Sequence, residues 1–402
     1  MLLALAAVAF AILYGAYLSP QWDPSRNDQV QYQALARGLV ERGEYTRAAA
    51  DEPFIPEPLR FPGFSLLIAP LCLLGCSMWA ITVLQALLLG ALVVMVARFA
   101  EPLLGRRGAR ISAAAVALHP AFAFFAAHAL SDLAAAVFAF AGVVATTRIW
   151  ARPTSGVAAG ALAAASTLTR PFGVFMFPIA AIVALGRQGL RPIAGTLAVA
   201  ALVFALALAP YVAYVERSFG RPLAGSTGAQ LWLGYFQDAN ANTLDPFERE
   251  QADAGRAALA RFDAVTDRVA QSQAFVALDD ELRTRALSLI AHDPAGFLAR
   301  GVARSVELWA GDLPVRAEDA NGVLNALWVE LNLMLLGFGI AGAVLLARRG
   351  GPIAALPLAM IVATWAFSYP LWAEGRFALP ARPFVAIGAA ALVEHLYRRR
   401  RV

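Results

Sequence analysis

The sequence predicts an all-α polytopic membrane protein: about ten transmembrane helices, outward-facing juxtamembrane helices and a small helical cap. Three observations predict it. The 402 residues are 59% hydrophobic and 15% charged, with mean hydropathy +0.61, whereas soluble domains are roughly 45–50% apolar and about 25% charged. The apolar residues gather in runs suited to crossing ~30 Å of hydrocarbon. The basic residues gather in every second connection between those runs. The same composition excludes a disordered chain, which needs low hydrophobicity and high charge.

The expected spans lie at 2–19, 77–98, 109–127, 130–148, 155–169, 172–186, 192–214, 323–347, 352–371 and 379–396. The first has no basic n-region and no small-residue cleavage site, so it reads as a retained helix and not a signal peptide. Spans five and six are short and joined at Arg170-Pro171, which predicts two tilted helices meeting near the far surface. Three modules follow: a membrane module over 1–215, an outer cap over 216–322 and a second membrane module over 323–402.

Charge orients the set. All 33 basic residues are Arg, and the connections at 98–110, 148–152, 187–191 and 348–349, with the tail, hold 14 of them beside one acid, Glu101. The positive-inside rule then places both termini in the cytoplasm. The long segments 20–63 and 216–322 face outward and carry 23 of the 28 acids. The Arg398–Arg401 run directly follows an apolar helix, as a cytoplasmic anchor on anionic lipid does. Nucleic acid is therefore not an expected partner, despite a pI near 9.5.

The first outward segment has an internal pattern. After Ser25, residues 28–43 place Tyr32, Leu35, Leu39 and Val40 on one helical face and Arg37, Glu41 and Arg42 on the other. That is an amphipathic helix suited to the membrane surface. An extended stretch follows, with Pro53, Pro56, Pro58 and Pro62, and then a short apolar helix over 63–75, too short to span. The second outward segment predicts helices around 246–262, 263–291 and 294–310. Cys72 and Cys76 match no zinc or redox spacing. A bond between them would be strained within a helix, so they read as small apolar filler.

Ionisable residues at membrane depth or edge each need a reason. Asp28, Arg60, Asp132, Arg170, Glu374, Arg376 and Arg382 come from separate stretches, yet the topology sends all of them to the outward surface. A shared water-filled cavity accounts for them together. Guanidinium groups there suit a phosphate, and a carboxylate suits a general base. Ordinary alternatives stand beside each. Asp28 and Ser131-Asp132 open helices, where acids cap and meet the helix dipole; Arg170 fits a snorkelling turn residue; Arg376 could pair with Glu374. His128, four before Asp132, could share its helical face, with a hydrogen bond favoured over a metal. His119 and His395 read as structural or interfacial, and Glu330 as facing the bundle or the cavity. Trp22, Trp79, Trp309, Trp328, Trp365 and Trp372 fall near span ends, as an aromatic belt predicts.

Four patterns give this arrangement a family resemblance. They are Asp28-x3-Tyr32-x-x-Leu35-x-x-Gly38 after the first span, and Arg60-Phe-Pro-Gly-Phe-Ser-Leu-Leu-Ile-Ala-Pro-Leu. The others are Ser131-Asp132 followed by Leu168-Thr169-Arg170-Pro171, and Glu374-Gly-Arg376-Phe-Ala-Leu-Pro380-Ala-Arg-Pro383 before the last span. In order, sidedness and spacing they resemble the GT-C fold glycosyltransferases that use polyprenyl-phosphate sugars, a group with the protein O-mannosyltransferases and the lipid A aminoarabinose transferase. The resemblance is weakest over 216–322.

The resemblance implies a hexosyl- or pentosyltransferase of the bacterial inner membrane, with its site on the periplasmic side. The donor is a sugar on a polyprenyl phosphate, and the acceptor an envelope glycolipid, polysaccharide or protein hydroxyl. Asp28 is the base of an inverting transfer, and Arg60 and Arg376 hold the donor phosphate. Tyr32, Asp132, Arg170 and Glu374 position the sugar or the groups behind it. Family members often carry two adjacent acids where this chain has Asp28 between Asn27 and Gln29. That departure favours a single carboxylate with no cofactor over a metal-binding pair. No Gly-rich phosphate loop points to a nucleotide sugar. A transporter or flippase is the main rival, but it would place its charges at the midplane, commonly between inverted repeats. A non-catalytic envelope-assembly subunit would leave Asp28, Arg60 and Arg376 dispensable.

Overall fold

The computed structural model describes residues 1–17, 28–147, 153–237, 239, 243–311 and 322–400. The expectations at Trp22, Ser25 and Asn27, at the 148–152 connection and at Arg401 lie outside the described residues.

Every predicted apolar run is helical over most of its described residues. The N-terminal helices are α1 (Leu2–Tyr17), α2 (Asp28–Glu41), α3 (Pro62–Cys72), α4 (Met78–Ala117), α5 (Pro120–Ala127), α6 (Ser131–Thr147), α7 (Pro153–Thr169), α8 (Phe172–Gln188) and α9 (Leu190–Phe219). The segment read from sequence as the cap holds α10 (Thr227–Phe236), α11 (Pro246–Asp263), α12 (Arg268–His292) and α13 (Pro294–Trp309). The chain then continues through α14 (Gly322–Arg348), α15 (Pro352–Ser368), a 3-10 turn (Gly375–Ala378) and α16 (Arg382–Arg399). Among the described residues the sole β feature is an isolated bridge from Thr46 to Pro56.

Breaks in the helices follow the local sequence. α4 runs through the expected second and third spans, interrupted by Pro102 and a non-helical Gly105 at φ 78° and ψ 176°. The third span breaks again at His119, held extended by the following proline because Pro excludes the α region from the residue before it. His119 then caps α5 through Nδ1, which accepts from the Ala121 amide. A second break at His128 turns α6 by 118° from α5. By length and apolarity alone, α4, α9 and α14 can each cross a bilayer, and α5 with α6 can count as one bent span. α1, α8 and α15 are shorter apolar helices.

The main buried cluster joins α1, α4, α5, α6, α8, α14, α15 and α16. Membrane helices pack without a hydrophobic gain over lipid, so close approach at small residues carries the association. α14 and α16 cross at Gly339, Gly342 and Gly388, where a Cβ on Gly342 would overlap the Gly388 carbonyl oxygen. α2 packs its face of Tyr32 and Ala36 against Phe64 and Ile68 of α3, so its apolar side meets protein where the sequence suggested the membrane surface. In the cap, Trp232 and Tyr235 of α10 pack with Leu278, Leu282 and Leu289 of α12 and Phe297 of α13.

Four sequence readings are corrected. Cys72 and Cys76 form a disulfide; the objection to it assumed a continuous helix, but α3 ends at Cys72 and the chain reverses through Gly75 at φ 95° and Cys76 at φ 57°. Glu330 is exposed, because α14 buries Trp328 and Asn332 and two residues along a helix lie on the far side from either. Trp309 and Trp328 are buried at 5% and 6% exposure, whereas Trp79 and Trp365 are exposed as a belt requires. His128 is the C-cap of α5 and not on the helix of Asp132, and its Nδ1 lies 2.7 Å from the Phe124 carbonyl oxygen.

Candidate active site

The site forms where α2, the extended segment before α3, the α6 N-terminus, the α7–α8 joint and the 3-10 turn converge. Asp28 is the first residue of α2, a position where the helix dipole favours a carboxylate. Its Oδ1 accepts from Arg60 Nη2 at 2.5 Å and its Oδ2 from Arg376 Nη1 at 3.1 Å. Arg376 also forms an ion pair with Glu374. Gln31, one turn along α2, accepts from Arg60 Nε at 2.9 Å. Both Asp28 oxygens are thus occupied by guanidinium groups.

A second chain runs alongside. Tyr32 OH lies 2.9 Å from Ser131 Oγ, which accepts from Arg170 Nε at 3.1 Å. Arg170 Nη2 pairs with Asp132 Oδ1 at 3.0 Å. Aromatic rings join the two chains: Arg60 sits 5.6 Å over Tyr32, and Arg170 and Arg376 sit 5.6 and 5.5 Å from the Phe377 ring centre. Asp132 is fully buried, while Asp28, Arg60, Arg170, Glu374 and Arg376 keep 13–25% of their side-chain surface. Three arginines balance three acids in a half-buried cluster open to solvent.

Burial pushes the Asp28 carboxyl up, but the guanidinium groups of Arg60, Arg376 and Arg170 outweigh it and hold the group below the ordinary carboxylate range. Burial, with Asp132 adding to it, raises Glu374 in spite of Arg376 and Arg170. Burial works against the Arg376 charge, yet Asp132, Glu374 and Asp28 together keep it firmly protonated.

Six of the seven charged residues singled out from sequence, with Tyr32, therefore meet in one cluster. Arg382 does not. It points into the bundle, donating to Asn332 Oδ1 at 2.6 Å and to the Trp309 carbonyl at 3.0 Å. Sequence reading missed Gln31, Ser131 as a bridge, Phe377 and Glu57. Glu57 is 1% exposed and accepts from the Leu59 and Arg60 amides at 2.8 and 2.9 Å, which shapes the turn presenting Arg60. Its place between Pro56 and Pro58 was the available signal. Among the described residues no group of three or more His, Cys, Asp or Glu is arranged to hold a metal ion. The guanidinium groups already on both Asp28 oxygens fit a metal poorly.

An all-α membrane bundle of this layout is the GT-C glycosyltransferase architecture, and solved structures share it. The Archaeoglobus fulgidus oligosaccharyltransferase in its apo form matches with TM-score 0.53 and 15% identity, covering 99% of this chain and 52% of that one. Archaeal oligosaccharyltransferase AglB from Archaeoglobus fulgidus, in complex with an inhibitory peptide and a dolichol-phosphate, matches with TM-score 0.54 and 17% identity, over 99% of this chain and 50% of that one. The complex with Zn and sulfate gives TM-score 0.55 and 14% identity, over 99% and 49%. This chain thus spans about half the length of these structures.

Residues 57–214 match the family model for dolichyl-phosphate-mannose-protein mannosyltransferases, a segment that holds Arg60, Asp132 and Arg170. No curated protein matches the sequence significantly. The chain is a multi-pass membrane protein with the GT-C fold, and both the fold and the matching family are those of glycosyltransferases.

Proposed function

We propose that the protein transfers a sugar from a polyprenyl-phosphate donor to a hydroxyl of a cell-envelope glycolipid, polysaccharide or protein, on the periplasmic face of a bacterial inner membrane. The observation that carries this reading is the engagement of one carboxylate, Asp28, by two arginines from opposite ends of the chain. Such a group supplies both the base and the anion-binding charges that the chemistry needs.

Asp28 takes the proton from the acceptor hydroxyl as that oxygen attacks the anomeric carbon. The bond from that carbon to the phosphate oxygen breaks, and polyprenyl phosphate leaves with the electron pair. Arg60 and Arg376 stabilise the charge growing on the leaving phosphate, the kind of directed electrostatic effect that commonly dominates catalysis. Attack opposite the phosphate inverts the anomeric centre. Tyr32, Asp132, Arg170 and Glu374 position the sugar and the two arginines.

In the resting site Arg60 and Arg376 both hold Asp28. Donor phosphate competes for them, so donor binding frees the carboxylate at the moment a base is needed. Purified protein incubated with a panel of radiolabelled polyprenyl-phosphate sugars and an envelope-lipid extract tests the reading. It expects transfer from at least one donor, with Arg60→Gln and Arg376→Gln each weakening donor use. Absence of both transfer and donor binding in folded protein would point to the transporter reading.

A further inference from the structure

Arg376 stands on the connection between α15 and α16, and the cap grips that connection at successive points. Gln237, at the C-terminal end of α10, forms a two-point clamp on Ala373. Its Oε1 accepts from the Ala373 amide at 2.7 Å and its Nε2 donates to the Ala373 carbonyl at 2.9 Å. One residue earlier, the Trp372 amide donates to the Gln230 carbonyl at 2.9 Å. Gly234 of α10 lies so close to the 371–372 backbone that a Cβ there would overlap it.

The grip continues past the clamp. Gly311, at φ +61° just beyond α13, abuts the backbone of Gly375, with 3.0 Å between its ideal Cβ position and the Gly375 Cα. Ala373, Glu374, Gly375 and Arg376 thus follow one another along a segment fastened by the cap on both sides of Glu374. Arg304, buried at 1% exposure, donates to the Gly234 carbonyl at 2.6 Å and the Tyr369 carbonyl at 3.2 Å, which ties α10 to the end of α15 independently of Gln237.

We infer that the cap sets the position of Arg376, and that Gln237 is the positioning residue through which it acts on the donor-phosphate site. The inference rests on the reading of Arg376 as a phosphate ligand. A side-chain amide that satisfies both the N–H and the C=O of one residue fixes that peptide in position and orientation. With only Glu374 and Gly375 between Ala373 and Arg376, the guanidinium has little freedom to wander once the clamp is closed. The cap is then part of the site's scaffold, and the fit of an acceptor against it would be felt at Arg376.

Gln237→Met keeps the side chain's length and removes both hydrogen bonds, while Arg304 still holds the cap in place. Two measurements on the purified full chain decide the matter. The first is hydrogen exchange of residues 372–378, expected to quicken in Gln237→Met with α11 and α12 and the melting temperature unchanged. The second is binding of undecaprenyl phosphate, expected to weaken about tenfold in Gln237→Met, the order of one or two lost hydrogen bonds. In the Arg376→Gln background the same change should cost nothing further, since coupled residues are non-additive.

Equal weakening in both backgrounds, or unchanged exchange at 372–378, would overturn the inference and leave Gln237 as a strut holding the cap down. If wild-type protein bound no undecaprenyl phosphate, the reading of Arg376 as a ligand of that phosphate would fall. The exchange experiment would then still decide whether Gln237 holds the Arg376 segment.

Discussion

Arg376 and Asp28 stand 348 residues apart in sequence and meet with Nη1 3.1 Å from Oδ2. The contact brings the connection before α16 onto the first turn of α2, and with Arg60 on the other oxygen it leaves Asp28 a weakly basic carboxylate at rest. A base so held does chemistry only when something draws the arginines away, and an incoming phosphate has the charge and geometry to do it.

A pH profile tests this first. Burial raises Asp28, but Arg60, Arg376 and Arg170 outweigh it, so the group loses its charge only as pH falls through a depressed value. Its ion pairs are intact above the ordinary carboxylate value and are lost below the depressed one. The acid limb of kcat/KM, which reports the free enzyme, should therefore lie below the ordinary carboxylate range. In Arg60→Gln it should move to higher pH. A limb that stays put in that variant would assign the titration to another group.

Asp28, Arg60, Arg170 and Arg376 were found because charge bias fixes the sidedness of each connection, and isolated charges at span edges stand out against an apolar background. Gln31, Glu57 and the bridging role of Ser131 were not found, since uncharged or turn-forming residues carry no such contrast and their partners come from other segments. Arg382 carried the same signal as Arg376, yet its position inside α16 turns it into the bundle to bridge Asn332 and Trp309. The Cys72–Cys76 bond depended on where α3 ends, which is a matter of one turn. α10 was missed because its apolar run, Leu231–Tyr235, is only five residues long and precedes the three helical pieces read in the second outward segment.

The Arg170–Asp132 pair carries a stability prediction. Asp132 is fully buried and its Oδ1 lies 3.0 Å from Arg170 Nη2. Arg170→Gln leaves that carboxylate unpaired, which typically costs about 3–5 kcal/mol. Adding Asp132→Asn should recover most of the loss, because the stranded charge is removed. Unfolding in detergent micelles, followed by denaturant titration, measures both; a double variant as unstable as Arg170→Gln would argue against the pair.

The α14–α16 crossing makes a packing prediction. Gly342→Val places two methyl groups where Gly388 approaches, and the helices must separate, at a cost of order 1–3 kcal/mol for overpacking. The thermal midpoint should fall, whereas Gly337→Val on the same helix, where nothing lies within 4 Å of a Cβ, should change it little. Equal effects of the two substitutions would remove the crossing as a determinant of stability.

The most direct test of the central claim is sugar transfer from polyprenyl-phosphate donors by wild-type protein beside Asp28→Asn, in one detergent and with folding checked for both. The account predicts a fall of about 10²–10⁴-fold in the transfer rate, the usual contribution of a general base, with donor binding retained because Arg60 and Arg376 remain. Equal transfer by the two proteins would contradict it and remove Asp28 from the chemistry.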